Sequence, residues 1–439
     1  MTNKRSAPVV IVGGGFSGTM TAANLARLGV RSILVEANGR AGHGAAYSTT
    51  DPAHLLNIPA ETMGAWAEDP EHFLVTQGVE RGSFAERRHY GRYLRSILDD
   101  AVASGNVEVV DGRAIAAERA DEGWRVRLES GEAIEALALV LATGNQTPAE
   151  LPGTESVRDR LIDNPWSDRA RAAIEDAAQR QLDVLILGTS LTMVDVALSL
   201  AAAGQKGRIV ALSRRGKIPL RNNGDADSTV QWDELPNPRI RAIARWLRRR
   251  GSEVGWRSAV DSVRPHSHRL WQSLPQRERR LFLRYGRPWW DIHRHRVAPE
   301  VGRQVDELLD QRRLEVIAGR LLSAKAQDGG IEVSIRKRGQ DHPERLGRFH
   351  YVFNCTGPLG DISRTRDPLL RDILDKGLAS PDELAIGLEV DERSRAGPGE
   401  RLWALGTLSK GRYWEMIAVP DIRNQAAAVA EDIATELGK

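Results

Sequence analysis

Two glycine-containing turns carry the residues of this chain that are best suited to hold a dinucleotide. The first, "VVIVGGGFSGTM" (9–20), places Gly13, Gly15 and Gly18 between an apolar run and a helix-like segment, and Glu36 closes the next apolar run. Such glycines suit a tight turn, close approach of the backbone to a pyrophosphate, and close packing of a helix on a strand. The acid could accept hydrogen bonds from a ribose. The pattern predicts the adenosine end of FAD; a glycine-rich turn without a ligand is the alternative.

The second turn, "DVLILGTSLTMVD" (183–195), repeats this order with fewer glycines. Gly188 and Ser190 stand at the first two positions, and Met193 occupies the position of the third glycine. A side chain at that position should hold the helix slightly farther from its strand. Taken alone, this turn indicates a dinucleotide-binding site less strongly than the first turn does.

The segments that follow each turn indicate an internal repeat. "VEVVDGR" (107–113) follows the first turn and "LEVIAGR" (314–320) the second, and each unit ends in a Thr-Gly pair, in "LVLATG" (139–144) and "YVFNCTG" (351–357). A repeated order of strand, turn, helix, small meander and apolar strand favours two related dinucleotide-binding domains. The sequence therefore predicts an α/β protein with two Rossmann-like domains.

The residues at the acid position of the second unit indicate which nucleotide it holds. Ser213 stands there and is followed by Arg214 and Arg215. Two guanidinium groups could clamp a 2′-phosphate, which favours NADPH over NADH. A solvated arginine pair on a loop is the alternative.

Length and cysteine content bound the architecture. The chain of 439 residues is too long for one simple core. We expect an FAD-binding domain formed by 1–150 and 346–439, with the NAD(P)H-binding domain at 151–345. No apolar run is long enough to cross a membrane and no signal region precedes the first strand, so a cytoplasmic protein without membrane association is predicted. Cys355 is the one cysteine, which excludes an internal disulfide and a Cys-x-x-Cys redox pair.

A block at about 217–296 matches neither repeat and is predicted to be a mostly helical insert in the second domain. Ile240, Ile243 and Leu247 fall on one helical face. Between positions 264 and 296, nine arginines stand against two acidic residues, with tryptophans interspersed. Aromatic rings beside arginines could hold a planar anionic substrate or an acidic amino acid. For each tryptophan singly, core packing is the alternative.

Several stretches resemble one group of FAD/NAD(P)-binding flavoproteins, which includes an FAD-dependent urate hydroxylase and an aspartate N-monooxygenase. They are "AGHGAAYSTTDPAHLLNIPAETMGAWAEDPEHFL", "RRHYGRYL", "GTSLTMVDVALSL", "FLRYGRPWWDIHRHRVAPEV", "NCTGP" and "GTLSKGRYWEMIAVPDIRNQAA". The resemblance implies the two-dinucleotide fold of the glutathione reductase type and a monooxygenase fed by NAD(P)H. Met193 and the segment "SRRGKIPLRN", which lacks a histidine after its proline, depart from the pattern.

The candidate site residues fall into two sets. The cofactor-binding candidates are Gly13, Gly15, Phe16, Ser17, Gly18, Glu36, Asn57, Met63, Thr143, Gly144, Gly188, Ser190, Leu191, Arg214, Arg215, Gly357 and Pro420. The candidates for substrate or peroxide contact are Trp290, Arg296, Trp414 and Glu415. Glu415 could relay a proton, or pair with Arg412 or Arg423. No metal site is predicted, because the pair His293 and His295 in a His-x-His spacing, without a cysteine nearby, is a poor metal site.

The cofactor pair and the missing cysteine pair together suggest a reaction. Hydride from NADPH would reduce the flavin, and oxygen is then the natural acceptor, with a flavin C4a-(hydro)peroxide as oxidant. We expect an FAD-dependent, NAD(P)H-consuming monooxygenase that hydroxylates a small polar or anionic substrate. One alternative is a flavin reductase or dehydrogenase that passes electrons to an external acceptor. The other is a nucleotide-sensing module whose insert binds nucleic acid, which the interspersed tryptophans disfavour. The sequence specifies no oligomeric state.

Overall fold

The computed structural model describes residues 7–222, 229–397 and 401–439. The strands, numbered in chain order, are β1 (Val9–Val12), β2 (Ser32–Glu36), β3 (Val107–Asp111), β4 (Ala114–Ala120), β5 (Gly123–Leu128), β6 (Ala133–Ala136), β7 (Ala138–Leu141), β8 (Leu161–Ile162), β9 (Val184–Leu187), β10 (Ile209–Ser213), β11 (Leu314–Gln327), β12 (Gly330–Lys337), β13 (Glu344–Phe349), β14 (Tyr351–Asn354) and β15 (Leu402–Ala404). The α-helices are α1 (Phe16–Arg27), α2 (Gly44–Tyr47), α3 (His72–Gln77), α4 (Arg87–Ala103), α5 (Asp168–Gln179), α6 (Leu191–Ala202), α7 (Ile240–Val254), α8 (Trp256–Val263), α9 (Ser267–Ser273), α10 (Gln276–Leu281), α11 (Arg287–Arg294), α12 (Pro299–Asp310), α13 (Pro368–Asp375) and α14 (Val419–Glu436).

The first unit is built on a parallel sheet in the order β15-β7-β1-β2-β3. β1 and β7 are aliphatic and buried along their whole length, as parallel strands covered on both faces must be. Side chains of α1, α4 and α14 cover one face. The antiparallel meander β4-β5-β6, together with α13, covers the other.

The second unit repeats this plan. Its sheet has the order β13-β12-β11-β10-β9-β14-β8, parallel from β11 to β8, with β12 and β13 added as an antiparallel hairpin. Helices α5, α6 and α12 pack on one face. The fold class predicted from the sequence, α/β with two Rossmann-type units and a helical insert, is confirmed.

The end of the second unit differs from the expected boundary at 345/346. β14 lies in the stretch assigned to the FAD-binding domain, yet it pairs with β9 on one side and β8 on the other. The second unit therefore extends to at least Asn354. The Thr-Gly repeat could have given this boundary. In the first unit the strand before Thr-Gly, β7, belongs to the sheet of its own unit, and β14 is its counterpart in the second unit.

The insert consists of α7 to α11. Residues 223–228, which belong to the range predicted for the insert, lie outside the described residues. Its last two helices are joined by a π-helical turn at Phe282–Gly286. Such turns leave backbone carbonyls without their usual α-helical partners, and they recur at functional sites. None of the helices in the described ranges is both long and apolar enough to cross a membrane.

Candidate functional site

The two glycine turns have the same backbone geometry. Gly13 and Gly188 each have φ +109°. A Cβ on Gly13 would lie 2.3 Å from the carbonyl oxygen of Ala142, and a Cβ on Gly188 would lie 2.0 Å from that of Cys355. Both turns thus press against the residue that follows the neighbouring strand, and both require glycine. The repeat seen in the sequence extends to the conformation of the two turns.

The first turn has room for a ligand at the start of α1. Gly15 precedes the helix, and a Cβ there would meet only the Cα of Gly44, at 3.8 Å. The first N–H groups of a helix have no intrahelical partners, and in α1 no side chain caps them. These N–H groups and the helix dipole therefore favour an anion at this position. Phe16 and Ser17 open the helix. Because the Phe16 side chain is buried in the core, its backbone N–H is the group available to a pyrophosphate.

Glu36 is fixed beside this turn. Its Oε2 accepts a 2.7 Å hydrogen bond from the Gly14 N–H, and its Oε1 accepts one of 3.1 Å from the Asn38 N–H. The residue is 8% exposed at the carboxyl end of β2. Oε1 also accepts a 3.3 Å hydrogen bond from Asn38 Nδ2, so Oε2 is the oxygen with a lone pair left for a hydrogen bond from a ribose.

The third position of the motif differs between the turns. A Cβ on Gly18 would lie 1.9 Å from the Gly13 carbonyl oxygen, so α1 can approach its strand only with glycine there. Met193 is fully buried at the same position of the second turn. A wider spacing between α6 and its strand therefore stays a prediction for the second turn.

The loop that carries the cofactor-binding candidates Asn57 and Met63 is held by the last helix. Arg423 of α14 donates from Nη1 to the Gly64 carbonyl at 2.8 Å. Asn57 is half-buried and makes no hydrogen bond within the described part of the chain. Met63 is 2% exposed and packs in the core, so only its backbone is left for a cofactor.

The two Thr-Gly pairs lie at open strand ends. Thr143 and Gly144 follow β7, Gly357 follows β14, and the two glycines have φ +71° and +90°. A Cβ on either glycine would meet nothing within 4 Å. Pro420 lies in the first turn of α14, and no side chain caps that helix. If its start faces the flavin, the helix dipole would stabilise the reduced anionic form.

The second turn is tied to the segment that follows β10. Ser190 is the exposed N-cap of α6, without a side-chain capping bond, and Leu191 is the first helical residue. Thr189, which the sequence analysis did not single out, forms a 2.9 Å hydrogen bond with the Ser213 hydroxyl and donates to the Lys217 carbonyl. These bonds fix the basic segment next to the start of α6.

Four cations gather at this end of β10: Arg214, Arg215, Lys217 and Arg338. Burial, then the charges of Arg214 and Arg338, lower the pKa of Arg215. Burial, then Arg338 and Arg215, lower the pKa of Lys217. Within the described ranges none of the four forms an ion pair, and Nη1 of Arg215 is buried without a hydrogen bond. A cationic cluster of this kind suits a phosphate group.

Polar contacts join the two units beside the second turn. Arg87 of α4 donates to Asp195 of α6 at 2.9 Å, with side-chain exposures of 15% and 8%. The Ser199 hydroxyl on the same helix bonds to His54 at 2.9 Å and to Asp51 at 2.6 Å. The loop after the first turn therefore packs directly on the helix that begins at the second turn.

We expect Arg87→Ala to lower the free energy of unfolding by about 3 kcal/mol, because it leaves the Asp195 carboxylate buried without its cation. Urea denaturation of the purified protein measures this. Arg95→Ala, which removes an exposed ion pair with Asp99 on the same helix, is the matched control and should cost less than about 1 kcal/mol. Equal losses for the two variants would contradict a structural role for the pair between the units.

The insert and the C-terminal segment meet at Glu415. Its Oε1 accepts from the Trp290 indole N–H, and its Oε2 accepts from Arg294 Nε at 3.2 Å. Glu415 is 4% exposed and has φ +70°, a conformation that strains a residue with a side chain. Two of the predicted contact residues, Trp290 and Glu415, are thus brought together. The cation that pairs with Glu415 is Arg294, where the sequence suggested Arg412 or Arg423.

Trp414 lies in an aromatic cluster of the same region. It stacks on Trp271 with ring centroids 4.9 Å apart, and Phe282 meets it edge-on at 5.3 Å. Its indole N–H is buried and has no partner in the described part of the chain. A buried donor without a partner is rare in proteins, which makes this indole N–H a candidate for ligand contact.

Arg296 occupies a different place from the one expected of a substrate contact. It is 4% exposed, and its guanidinium pairs with Asp261 of α8 at 2.8 Å and donates to the His293 carbonyl. These contacts hold α8 against the end of α11. α11 continues through Arg294, so the end of this helix sets the direction of the Arg296 side chain.

Half-buried and exposed ionisable groups lie between the insert and the loop after Gly144. Lys410 donates to the Asn145 side chain at 3.4 Å, and Arg287 donates to Asp291 at 3.3 Å. Burial lowers the pKa of Lys410 to about 8 and raises the pKa of Asp291 to about 6. Groups that titrate near neutral pH are suited to binding and proton transfer in a site.

A cavity of about 410 Å³ opens between the loop at 61–70, the insert and the start of α14. Its polar lining includes Glu61, Arg264, His268 and Asp421. Burial raises the pKa of Asp421, and burial lowers that of Arg264. Charges of both signs around a space of this size suit a small polar molecule. No group of three or more His, Cys, Asp or Glu residues in the described ranges is placed to hold a metal ion.

Comparison with known sequences gives a match over the N-terminal part of the chain, which includes the first turn. A protein-family model described as FAD-NAD(P)-binding matches residues 10–146. No curated protein matches the chain. The family match agrees with the prediction of FAD and NAD(P)H as cofactors.

Comparison with solved structures shows the whole fold, the two-dinucleotide fold found in flavin- and nicotinamide-dependent oxidoreductases. L-lysine 6-monooxygenase from Pseudomonas syringae superposes with a TM-score of 0.68 at 15% identity, over 98% of this chain and 99% of that one. Ornithine N-hydroxylase from Kutzneria sp. 744, solved with reduced FAD, NADP⁺ and L-ornithine, gives 0.66 at 15% identity, over 98% and 99%. Lactococcus lactis thioredoxin reductase gives 0.57 at 15% identity, over 98% and 100%.

Sequence reasoning missed several residues of the site. Thr189, Lys217 and Arg338 lie with the candidates around the second turn, and Arg294 and Lys410 lie in the region around Glu415. Lys217 could have been found, since it follows directly on "SRRG". The others come from separate elements and carry no local signal.

Proposed function

We propose that this protein is an FAD-dependent, NAD(P)H-consuming monooxygenase that hydroxylates a small polar or anionic substrate. The observation that carries the proposal is the pair of glycine turns with the same geometry, each followed by an uncapped helix start, in two units packed directly together. Two anion-binding helix ends suit two dinucleotides.

The residues at the first turn fit FAD. The N–H groups of Phe16 and Ser17 would bind the pyrophosphate, and Glu36 would bind the ribose. Gly144 and the start of α14 line the expected flavin end. Bound FAD would accept hydride and react with oxygen, which no side chain can do. The cation cluster favours NADPH over NADH.

The cysteine content supports oxygen as the electron acceptor. Cys355 is the one cysteine of the chain, and burial raises the pKa of its thiol far above the ordinary value. A buried, protonated thiol without a partner cannot form the disulfide that a thiol reductase requires. The likeness to thioredoxin reductase is therefore one of fold.

The groups around Glu415 would bind the substrate and move protons. Trp414 offers an unpaired indole N–H, and Lys410 and Arg287 offer positive charge to an anionic group. Trp290 and Arg294 hold the Glu415 carboxylate in one orientation. Tight packing of Trp414, Trp271 and Phe282 excludes water from one side of this region.

The test is to measure oxygen uptake and NADPH oxidation together with the purified yellow protein. Urate-like heterocycles and acidic amino acids, suggested by the resemblance in sequence, are the first substrates to screen. We expect one of them to stimulate both rates and to yield a hydroxylated product by mass spectrometry. Rapid NADPH oxidation that needs a quinone or protein acceptor in place of oxygen would instead establish a reductase.

The pH dependence of the reaction should report Lys410. Its ammonium is protonated below its pKa of about 8, so kcat/KM for an anionic substrate should fall about tenfold as the pH rises through that value. Lys410→Met should be less active and show no such fall, whereas Lys410→Arg should keep its activity at higher pH. A fall near pH 8 that persists in Lys410→Met would contradict the assignment.

A further inference from the structure

Helix α11 contacts both the cation cluster and Glu415. On one side, Lys217 Nζ lies 3.3 Å from the ring centroid of Trp289, whose side chain is otherwise 54% exposed. On the other side, Trp290 and Arg294, one helical turn apart, hold the Glu415 carboxylate. One short helix thus touches two regions that the proposed function assigns to different ligands.

Two further contacts join α11 to the segment after β10. Arg215 Nη2 donates to the Arg284 carbonyl at 3.2 Å, within the π-helical turn that precedes α11. The Leu220 N–H donates to the Ile292 carbonyl at 3.2 Å, near the end of α11. The segment 213–222 therefore contacts the turn before α11, the Trp289 ring of the helix and its last turn.

Anion binding should change the electrostatic repulsion within the cation cluster. Arg214, Arg215, Lys217 and Arg338 repel one another, and no carboxylate in the described ranges pairs with them. A phosphate would relieve this repulsion and order the segment that carries three of the four. An ammonium has several N–H donors, so Lys217 can bind phosphate and remain on the Trp289 ring.

We propose that α11 transmits occupancy of the cation cluster to Glu415, so that the 2′-phosphate of NADP(H) positions the candidate substrate site. Lys217 and Trp289 are the residues that determine this coupling. The inference rests on the proposed function for the identity of the nucleotide. It goes further in making substrate binding depend on the 2′-phosphate.

The experiment uses the full chain as purified and two probes without nicotinamide: adenosine 2′,5′-bisphosphate, which carries the 2′-phosphate, and 5′-AMP, which lacks it. Calorimetry gives their affinities, and amide hydrogen exchange gives the protection of 213–222 and α11. At 100 times its Kd, the bisphosphate should slow exchange in both segments by up to about a hundredfold, and 5′-AMP should leave α11 unchanged.

The variants separate the phosphate contact from the coupling. Lys217→Ala should weaken bisphosphate binding about tenfold and leave 5′-AMP binding unaltered. Trp289→Leu should weaken bisphosphate binding about threefold and lose the protection of α11 at saturation. Arg245→Ala, which removes an exposed arginine from another helix of the insert, is the matched control and should behave as the wild type.

The reciprocal measurement tests the link to Glu415. Because coupling between two sites is mutual, Glu415→Gln should weaken bisphosphate binding severalfold, although the two regions do not touch. Unchanged exchange of α11 at saturating bisphosphate, or wild-type affinity in Lys217→Ala or Glu415→Gln, would overturn the inference. If NADPH drives oxygen uptake without α11 protection, the coupling alone fails; if protection appears without oxygen uptake, the proposed function alone fails.

Discussion

Gly15→Asp is expected to fold normally and to purify without FAD. The residue has ordinary extended backbone angles, and a Cβ there meets only one atom within 4 Å, so the side chain fits. Aspartate is also a favourable N-cap and should stabilise α1 slightly. Its carboxylate would stand where the pyrophosphate must bind. Like charges at such a contact cost several kcal/mol, which corresponds to a loss of FAD affinity of at least about a hundredfold.

The ratio of visible flavin absorbance to protein absorbance measures this loss, and circular dichroism and thermal melting check the fold. Gly15→Asn is the matched control, since asparagine has nearly the shape of aspartate without its charge. It should retain much more flavin than Gly15→Asp. A yellow Gly15→Asp protein with normal flavin content would contradict the placement of FAD at the start of α1.

Ser190→Asp is expected to keep FAD and lose NADPH. Ser190 is the exposed N-cap of α6, with backbone angles close to those of Gly15 and no side-chain capping bond. The new carboxylate would repel the nicotinamide dinucleotide by the same mechanism, and the apparent Kd for NADPH should rise at least about a hundredfold. The first turn is unchanged, so the flavin content should stay at the wild-type level.

Anaerobic flavin reduction at a series of NADPH concentrations gives that Kd. Ser190→Asn separates the charge from the size of the new side chain and should change the Kd far less. Together, the aspartate variants at positions 15 and 190 assign one dinucleotide to each turn. Loss of FAD from Ser190→Asp, or unchanged NADPH binding, would show that the two turns do not have separate ligands.

Local sequence patterns were sufficient to predict the two Rossmann-type units of the fold. Gly13, Gly18 and Gly188 could be recognised because their roles are set within a few residues, by turn conformation and helix packing. The apolar runs of β1 and β9 mark buried parallel strands without any knowledge of their neighbours. The two Rossmann-type units therefore follow from short-range patterns repeated along the chain.

The site around Glu415 could be predicted only in part, because its contacts are long-range. Trp290 and Glu415 are 125 positions apart in the sequence and meet only when the insert folds onto the C-terminal segment. Arg296 shows the limit of pattern reasoning, since its direction depends on where α11 ends. Arg294, two residues earlier, takes the contact with Glu415 instead.

The basic composition of the insert did not show whether its arginines bind a ligand or pair within the chain. A count of arginines cannot show which of them have partners within the chain. In the structure, Arg279 donates to the Trp271 carbonyl, Arg294 pairs with Glu415 and Arg296 pairs with Asp261. A group of four cations that form no ion pair in the described ranges lies outside the insert helices, after β10 and β12: Arg214, Arg215, Lys217 and Arg338. The phosphate-binding hypothesis rests on these residues more than on the insert.

The central claim is that two helix ends, one in each unit, hold a flavin and a nicotinamide close enough to exchange hydride. Anaerobic titration of the purified wild-type protein with NADPH tests it most directly. We expect the visible flavin absorbance to bleach fully, with one NADPH oxidised for each flavin reduced. A protein that carries no flavin, or a flavin that NADPH leaves oxidised, would contradict it.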